Sequence, residues 1–293
     1  MARRYTSFDA LKSDIVRNLF VDTADQNYVV ARWCYINRLF LDFYWNGAHC
    51  IEKYMKASLL LNGKSSISPK NSKNEFGHDI LSLYNEIELY AGEFLPGVIP
   101  KPNELSIHHW WPETAEGFLK RLSGNGDANN RYQIFGYAQH REDLYKFDRL
   151  VFAIRRLCCT LDAYLDNGSK RRKSMTNRTK LRSNLDYMPY ISGSKFERLT
   201  GCKSTDDVIN AAFKHNLLFA PESYNHGEMN DSLSATNPVL YRRILGPAQN
   251  CNSKDSKKML NNIITWTTKN IKLPPAVKKQ ILDAGETLEK RKI

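Results

Sequence analysis

The stretch from Ala48 to Tyr90 constrains the fold most strongly, because two apolar repeats of helical spacing flank a polar loop there. The first repeat carries apolar residues at four-residue steps: Ile51, Met55 and Leu59. Gly63 is placed to end this helix, since glycine readily adopts the left-handed conformation of a helix end. The second repeat carries apolar residues three or four apart: Ile80, Tyr84, Ile87 and Ala91. The stretch therefore predicts a hairpin of two helices.

Two further stretches show the same spacing and predict long helices. One extends from about Ala24 to Tyr44, with apolar residues at Val29, Trp33, Ile36, Phe40 and Phe43. The other covers residues 141–168, with a stripe at Leu144, Phe147, Val151, Ile154, Cys158, Leu161 and Leu165. A stripe of this regularity is typical either of the inner helix of a bundle or of a dimer seam. We therefore predict an all-α protein.

Composition bounds the class of protein and of partner. The 293 residues contain 43 Lys and Arg against 31 Asp and Glu, a formal charge of +12. We interpret this charge as favouring a polyanionic partner such as RNA; the alternative is that it serves solubility alone. The six cysteines form no C-x-x-C pair, and no apolar run has the length of a membrane span. We expect a reduced, soluble, cytoplasmic protein without a membrane partner. No motif of a metal or cofactor site is found, and we expect neither.

A basic run suggests how the chain is divided. Residues 169–182 contain seven Lys and Arg and no acid, a composition that attracts phosphates or simply forms a solvated linker. We place the boundary there. The predicted parts are a helical bundle over residues 1–168, the basic linker over 169–182, and a smaller, mostly helical, basic region over 183–293.

At the hairpin the chain also resembles a known family. The matching residues are Ala48, Glu52, Lys53, Tyr54, Lys56, Ala57, Gly77, His78 and Asp79. In this order they resemble the HEPN (higher eukaryotes and prokaryotes nucleotide-binding) domain. The likeness extends over roughly residues 25–168 and includes Tyr28–Arg32 and Asn130–Tyr132. It implies an antiparallel helical bundle that forms a homodimer.

The resemblance divides the functional hypotheses into two. Some HEPN domains are metal-independent ribonucleases with Arg, roughly four to six residues and then His, which supply a cation and a general acid/base. Here the nearest such pair is Arg131 and His140, separated by eight residues, a departure from that pattern. If the protein is a ribonuclease, these two residues are catalytic. It is then a toxin or phage-defence effector, and the family implies a cognate antitoxin or a nucleotidyltransferase-type partner.

The hypothesis that we favour over the ribonuclease is a dimeric module that binds RNA or a nucleotide. Its expected contacts are Lys53, His78, Arg131, Tyr132, Lys170, Arg171, Arg172 and Lys173. We expect Asp79 to cap its helix, and Glu52 to pair with an arginine such as Arg32. His108-His109-Trp110-Trp111 either stacks bases or anchors an irregular connection. A structural partner protein with an incidental basic surface is the remaining alternative.

Overall fold

A computed structural model of the protein describes residues 8–69, 74–165, 175–189, 205–225, 227, 233–271 and 273–291. These residues are mainly helical, which confirms the all-α class. Contacts divide the chain into two compact units. The first unit comprises residues 1–126 and 139–233, and the second comprises residues 127–138 and 234–293.

The first unit is built from helices joined by short irregular segments. Its helices are α1 (Phe8–Val16), α2 (Asp22–Ile36), α3 (Phe40–Leu61), α4 (Ile80–Ala91), α5 (Ala115–Asn125), α6 (Asp143–Arg155), α7 (Asn177–Ser183) and α8 (Asp206–Phe213). A π-helical turn (Arg17–Val21) joins α1 to α2, and a 3₁₀ turn (Gly92–Phe94) follows α4. The short strands β1 (Val98–Ile99) and β2 (Glu113–Thr114) pair antiparallel.

Helix α3 is the centre of the first unit and packs against α2, α4, α5 and α6. Its apolar face, including Ile51 and Met55, is fully buried. The helix ends at Leu61, and Gly63 adopts a φ of 73° as expected. Asp79 caps α4 by accepting hydrogen bonds from two backbone amides of the first turn. The predicted helical hairpin is therefore confirmed.

The predicted helix from Ala24 to Tyr44 is wrong in its continuity. Helix α2 ends at Ile36 and α3 begins at Phe40. Between them Arg38 takes a left-handed φ of 62°, which no glycine or proline signals. The core face of α2 therefore differs from the expected stripe: Tyr28 and Arg32 are buried, whereas Trp33 is exposed.

The predicted helix over residues 141–168 is too long, because α6 ends at Arg155. The side chain of Asn62, directly after α3, hydrogen-bonds the backbone of the following segment. The Asn62 amide donates to the carbonyl of Cys159 at 3.0 Å, and its oxygen accepts from the Leu161 amide at 3.0 Å. The stripe from Leu144 to Leu161 is buried inside the first unit, so α6 is an inner helix.

A buried ion pair connects α8 with α2 and α6. The Arg32 guanidinium is fully buried and bonds the Asp148 carboxylate. It also donates to the carbonyl oxygens of Ala211, at 3.0 Å, and Lys214. The Tyr28 hydroxyl donates to the same carboxylate at 2.7 Å. Each nitrogen of the buried Arg32 guanidinium therefore donates a hydrogen bond, which offsets the cost of burying its charge.

The second unit combines an internal segment with the C-terminal helices. Its elements are a 3₁₀ turn (Ala128–Tyr132), β3 (Tyr137–Gln139, which begins in this unit), β4 (Ser234–Thr236), a π-helical turn (Tyr241–Leu245), α9 (Gly246–Gln249), α10 (Lys254–Asn270) and α11 (Pro275–Lys290). Strands β3 and β4 pair. One core cluster consists of five buried side chains: Ile134, Ile244, Ile264, Val277 and Ile281. A second consists of Cys251, Leu260 and Leu288. Ile134 thus joins the internal segment to the C-terminal helices.

This division differs from the boundary expected over residues 169–182. Helix α7 lies in that range and belongs to the first unit, where Leu181 is buried. Its Arg178 pairs with Asp162 at 2.7 Å and with Glu93 at 3.0 Å. In the second half of the basic run, part of the positive charge is therefore paired with acidic side chains of the first unit. Its first half, residues 170–173, lies outside the described residues.

Candidate nucleic-acid interface

The net charge of the protein is concentrated in the smaller, second unit. That unit contains 13 Lys and Arg against 5 Asp and Glu, a formal charge of +8 out of +12 for the whole chain. A surface of this charge attracts polyanions and releases their counterions. The second unit is therefore where a nucleic-acid interface is to be sought.

Helix α10 gives this unit an exposed apolar stripe beside a row of lysines. The helix begins at a Ser253 cap, whose hydroxyl accepts from the Ser256 amide at 3.3 Å. Leu260 and Ile264 face the core. The neighbouring stripe remains in solvent, with exposed fractions of 66% at Met259, 38% at Ile263 and 54% at Trp266.

The lysines of α10 lie next to this stripe. At 100° per residue, Lys258 and Lys269 point within about 20° of each other and about 60–80° from Trp266. Both are exposed, as is Lys254 one turn earlier. We call the set of Lys254, Lys258, Met259, Ile263, Trp266 and Lys269 the α10 face. It combines an indole with ammonium groups along one side of a helix.

A groove of about 760 Å³ between α10 and α11 adjoins the lysines of this face. Lys257 inside it donates to the carbonyl oxygens of Glu289, at 2.9 Å, and Arg291, at 3.0 Å. Lys257 therefore caps the C-terminus of α11, as basic side chains often do. Lys254 and Lys258 line the same groove with exposed side chains and are available to phosphates.

Two of the predicted binding residues lie in the second unit. Arg131 and Tyr132 end the 3₁₀ turn, and both side chains are exposed. The Arg131 guanidinium carbon lies 5.9 Å from the centre of the Tyr132 ring, and its Nε donates to the Ala128 carbonyl at 3.0 Å. An arginine stacked on an exposed phenol ring is a surface that can receive a base or a phosphate.

The other described binding residues, Lys53 and His78, lie in the first unit. The Lys53 ammonium donates to the Asn27 side-chain oxygen at 2.6 Å. The expected pairing of Glu52 with Arg32 is wrong, because Arg32 is buried against Asp148. Glu52 instead accepts from Lys56 at 2.7 Å and lies 3.0 Å from the Nδ1 of His78. The predicted binding residues are thus divided between the two units.

The proposed catalytic pair is divided in the same way. Arg131 belongs to the second unit and His140 to the first. The Nδ1 of His140 lies 3.8 Å from the carboxylate of Glu142, and its ring centre lies 6.4 Å from that of Trp111. The ribonuclease hypothesis stays a prediction.

The Trp110-Trp111 pair is attached to α6 through its backbone. The Trp111 amide donates to Glu142 at 3.0 Å, and its carbonyl accepts from the buried Lys146 ammonium at 2.8 Å. Trp110 packs edge-on against Tyr145, with ring centres 5.9 Å apart. The indole of Trp111 is 67% exposed, so it is an aromatic surface in the first unit that can be compared with Trp266.

His49 is a residue that the sequence analysis missed. It lies one turn before Glu52 on α3, and its Nδ1 is 3.8 Å from the Glu52 carboxylate. Its ring contacts Trp45 edge-on at 4.3 Å. Burial lowers the pKa of His49 and favours the neutral imidazole. The i, i+3 spacing of His49 and Glu52 was visible in the sequence and was the signal for this cluster.

Of the helices in the described ranges, none is both long enough and apolar enough to span a membrane. The described cysteines are buried and form no disulfide with one another: Cys34, Cys50, Cys158, Cys159 and Cys251.

Comparison of the chain with protein-family models, with curated proteins and with solved structures finds no match in any of the three.

Proposed function

We propose that the protein binds single-stranded RNA through the α10 face of its second unit. The observation that carries the proposal is the exposed Trp266 beside the row of Lys258 and Lys269. Lysines neutralise phosphates along a strand, while an indole stacks on any base. Bases are open to stacking in single strands, whereas those of an RNA duplex are enclosed in its helix.

Two further features support this function. The second unit carries +8 of the chain's charge of +12, enough to attract a polyanion at long range. Arg131 and Tyr132 add a second exposed cation and aromatic pair to the same unit. The resemblance of residues 25–168 to HEPN domains agrees with an RNA- or nucleotide-binding role, with the first unit as a HEPN-like, dimer-forming bundle.

The test is fluorescence anisotropy of a labelled single-stranded RNA of mixed sequence, titrated with the full chain in the presence of a chelator. We expect Trp266→Ala to weaken binding about 5- to 150-fold, because base stacking on an aromatic ring contributes about 1–3 kcal/mol. The matched control is Trp111→Ala, which removes an indole of the first unit that is at least as exposed as Trp266 and should leave affinity unchanged.

Lysine variants measure the electrostatic part of the same interaction. A titration at several salt concentrations should show affinity falling steeply with salt, and Lys258→Gln should reduce the logarithmic slope by about 0.7. Lys120→Gln, on α5 of the first unit, serves as the control. Equal effects of Trp266→Ala and Trp111→Ala, or an affinity independent of salt, would contradict the proposal.

The recovered RNA separates this proposal from the ribonuclease hypothesis. Intact RNA after the titration agrees with a binding module. Shortened RNA, with cleavage lost in both Arg131→Ala and His140→Ala, would favour the nuclease. Chelator in every sample makes that result specific to a metal-independent reaction.

A further inference from the structure

Two elements of the first unit bring two histidines and one carboxylate together. His49 and Glu52 are three residues apart on α3 and so share one face of the helix. His78 lies in the turn before α4, twenty-six residues after Glu52 in the sequence. The turn is fixed at one end by buried Phe76, whose carbonyl accepts from the Asp79 amide at 2.8 Å.

A lysine connects this turn to α3. The Lys56 ammonium donates to the carbonyl of Gly77 at 2.8 Å and to Glu52 Oε1 at 2.7 Å. It thereby holds one carboxylate oxygen and the backbone next to His78. The other oxygen, Oε2, faces both imidazoles. Outer hydrogen bonds of this kind orient the ligands of metal ions in proteins.

The distances within the cluster approach those of a metal site. Oε2 of Glu52 lies 3.0 Å from Nδ1 of His78 and 3.8 Å from Nδ1 of His49. The three candidate ligand atoms all lie within 4.8 Å of one another. Ligands about 2.0–2.1 Å from a tetrahedral zinc ion are about 3.3 Å apart. The two distances from Oε2 lie on either side of that value.

We propose that His49, Glu52 and His78 form a binding site for a divalent transition-metal ion of the zinc type. Two imidazoles and one carboxylate are a ligand set that zinc prefers, and three protein ligands leave a fourth position for water. The side chain of His78 is 83% exposed, which opens the site to solvent. The site ties α3 to the start of α4. The proposal is independent of RNA binding.

The experiment is isothermal titration of the full chain, stripped with chelator and then dialysed, with zinc chloride. We expect one ion bound per chain. His78→Ala and His49→Ala should each weaken binding by about 100-fold or more, since even outer-shell changes cost about 10- to 100-fold. His108→Ala and His109→Ala remove exposed imidazoles from a loop of the first unit and should leave binding unchanged.

A second measurement follows the thermal stability of the protein rather than the heat of binding. A ligand that binds only the native state raises the midpoint of thermal unfolding. Zinc should raise it in the wild type and in His108→Ala, but not in His78→Ala. Since His78 is largely exposed, this variant folds without the ion. Absence of zinc binding in the wild type, or equal binding by His78→Ala and the wild type, would overturn the proposal.

Discussion

At the scale of single residues, burial decides which charged groups can serve a ligand. Arg32 lies in the stretch that resembles HEPN domains, yet it is fully buried and bonded to Asp148. A buried guanidinium with all its partners inside the protein cannot meet a phosphate. Lys258 and Arg131 are exposed, so these residues, rather than Arg32, are open to an anionic ligand.

Gly136 is a position where a side chain is not tolerated. Its φ is 71°, and a Cβ there would collide with the Thr236 carbonyl oxygen and lie 3.0 Å from the nitrogen of Pro238. We expect Gly136→Ala to lower the free energy of unfolding of the second unit by about 1–3 kcal/mol. Urea titration followed by hydrogen exchange of α10 measures this loss.

The control for this prediction is Gly124→Ala. A Cβ at Gly124, near the end of α5, meets nothing within 4 Å, and alanine favours the helix. This variant should be as stable as the wild type or more stable. An unchanged unfolding curve for Gly136→Ala would show that β3 and β4 separate easily at this turn.

At the scale of elements, α7 forms ion pairs with Glu93 in the 3₁₀ turn that follows α4. Arg182 and Arg178 hydrogen-bond Glu93 and hold its pKa below the ordinary value of 4.5. A carboxylate with a lowered folded pKa stabilises the fold above its ordinary pKa, and this stabilisation is lost as pH falls through the folded value. Glu93→Gln should therefore lower the urea midpoint near neutral pH, with a difference from the wild type that shrinks towards about pH 3.

Glu88→Gln, at an exposed position of α4 five residues before Glu93, is the comparison for this pH series. It should differ little from the wild type at any pH, because exposed charges contribute little to stability. A difference for Glu93→Gln that is constant with pH would show that the carboxylate is not the group responsible.

Helices were predicted well where their ends have local signals. Gly63 marked the end of α3, and Asp79 marked the start of α4. The break at Arg38 and the end of α6 at Arg155 had no such signal. The latter depends on Asn62, almost a hundred residues away, which bonds the following backbone. The spacing of apolar residues within α6 cannot predict a hydrogen-bonding partner that lies so far away in the sequence.

The candidate sites were predictable in the same partial way. Met259, Ile263 and Trp266 are four and three residues apart, a spacing that places them on one side of a helix. It did not indicate that this side is exposed, since Leu260 and Ile264 form an equally apolar stripe beside it. His49 and Glu52 showed a helical spacing, but the approach of His78 depends on the turn that begins α4.

At the scale of the whole molecule, one internal segment is needed by the C-terminal helices. Ile134 is 7% exposed and packs in the core formed by side chains of α10, α11 and the preceding π-helical turn. We expect Ile134→Ala to destabilise the second unit by about 2–5 kcal/mol. Hydrogen exchange should show lost protection in α10 and α11 and unchanged protection in α3 and α6.

Val98→Ala, at a 60% exposed position of β1 in the first unit, is the matched truncation of a branched side chain. It should leave exchange unchanged throughout. If Ile134→Ala instead raised exchange in α3 and left α10 protected, the assignment of residues 127–138 to the second unit would be wrong.

The way the second unit is divided along the chain has a consequence for biosynthesis. Residues 127–138 leave the ribosome about 100 residues before the first of their partners, residues 234–293. At about 5–20 residues per second, Ile134 waits roughly 5–20 s without its core. During that interval the nascent chain exposes an apolar segment between helices that can already fold. The core of the second unit is therefore completed only after the whole of the first unit has been synthesised.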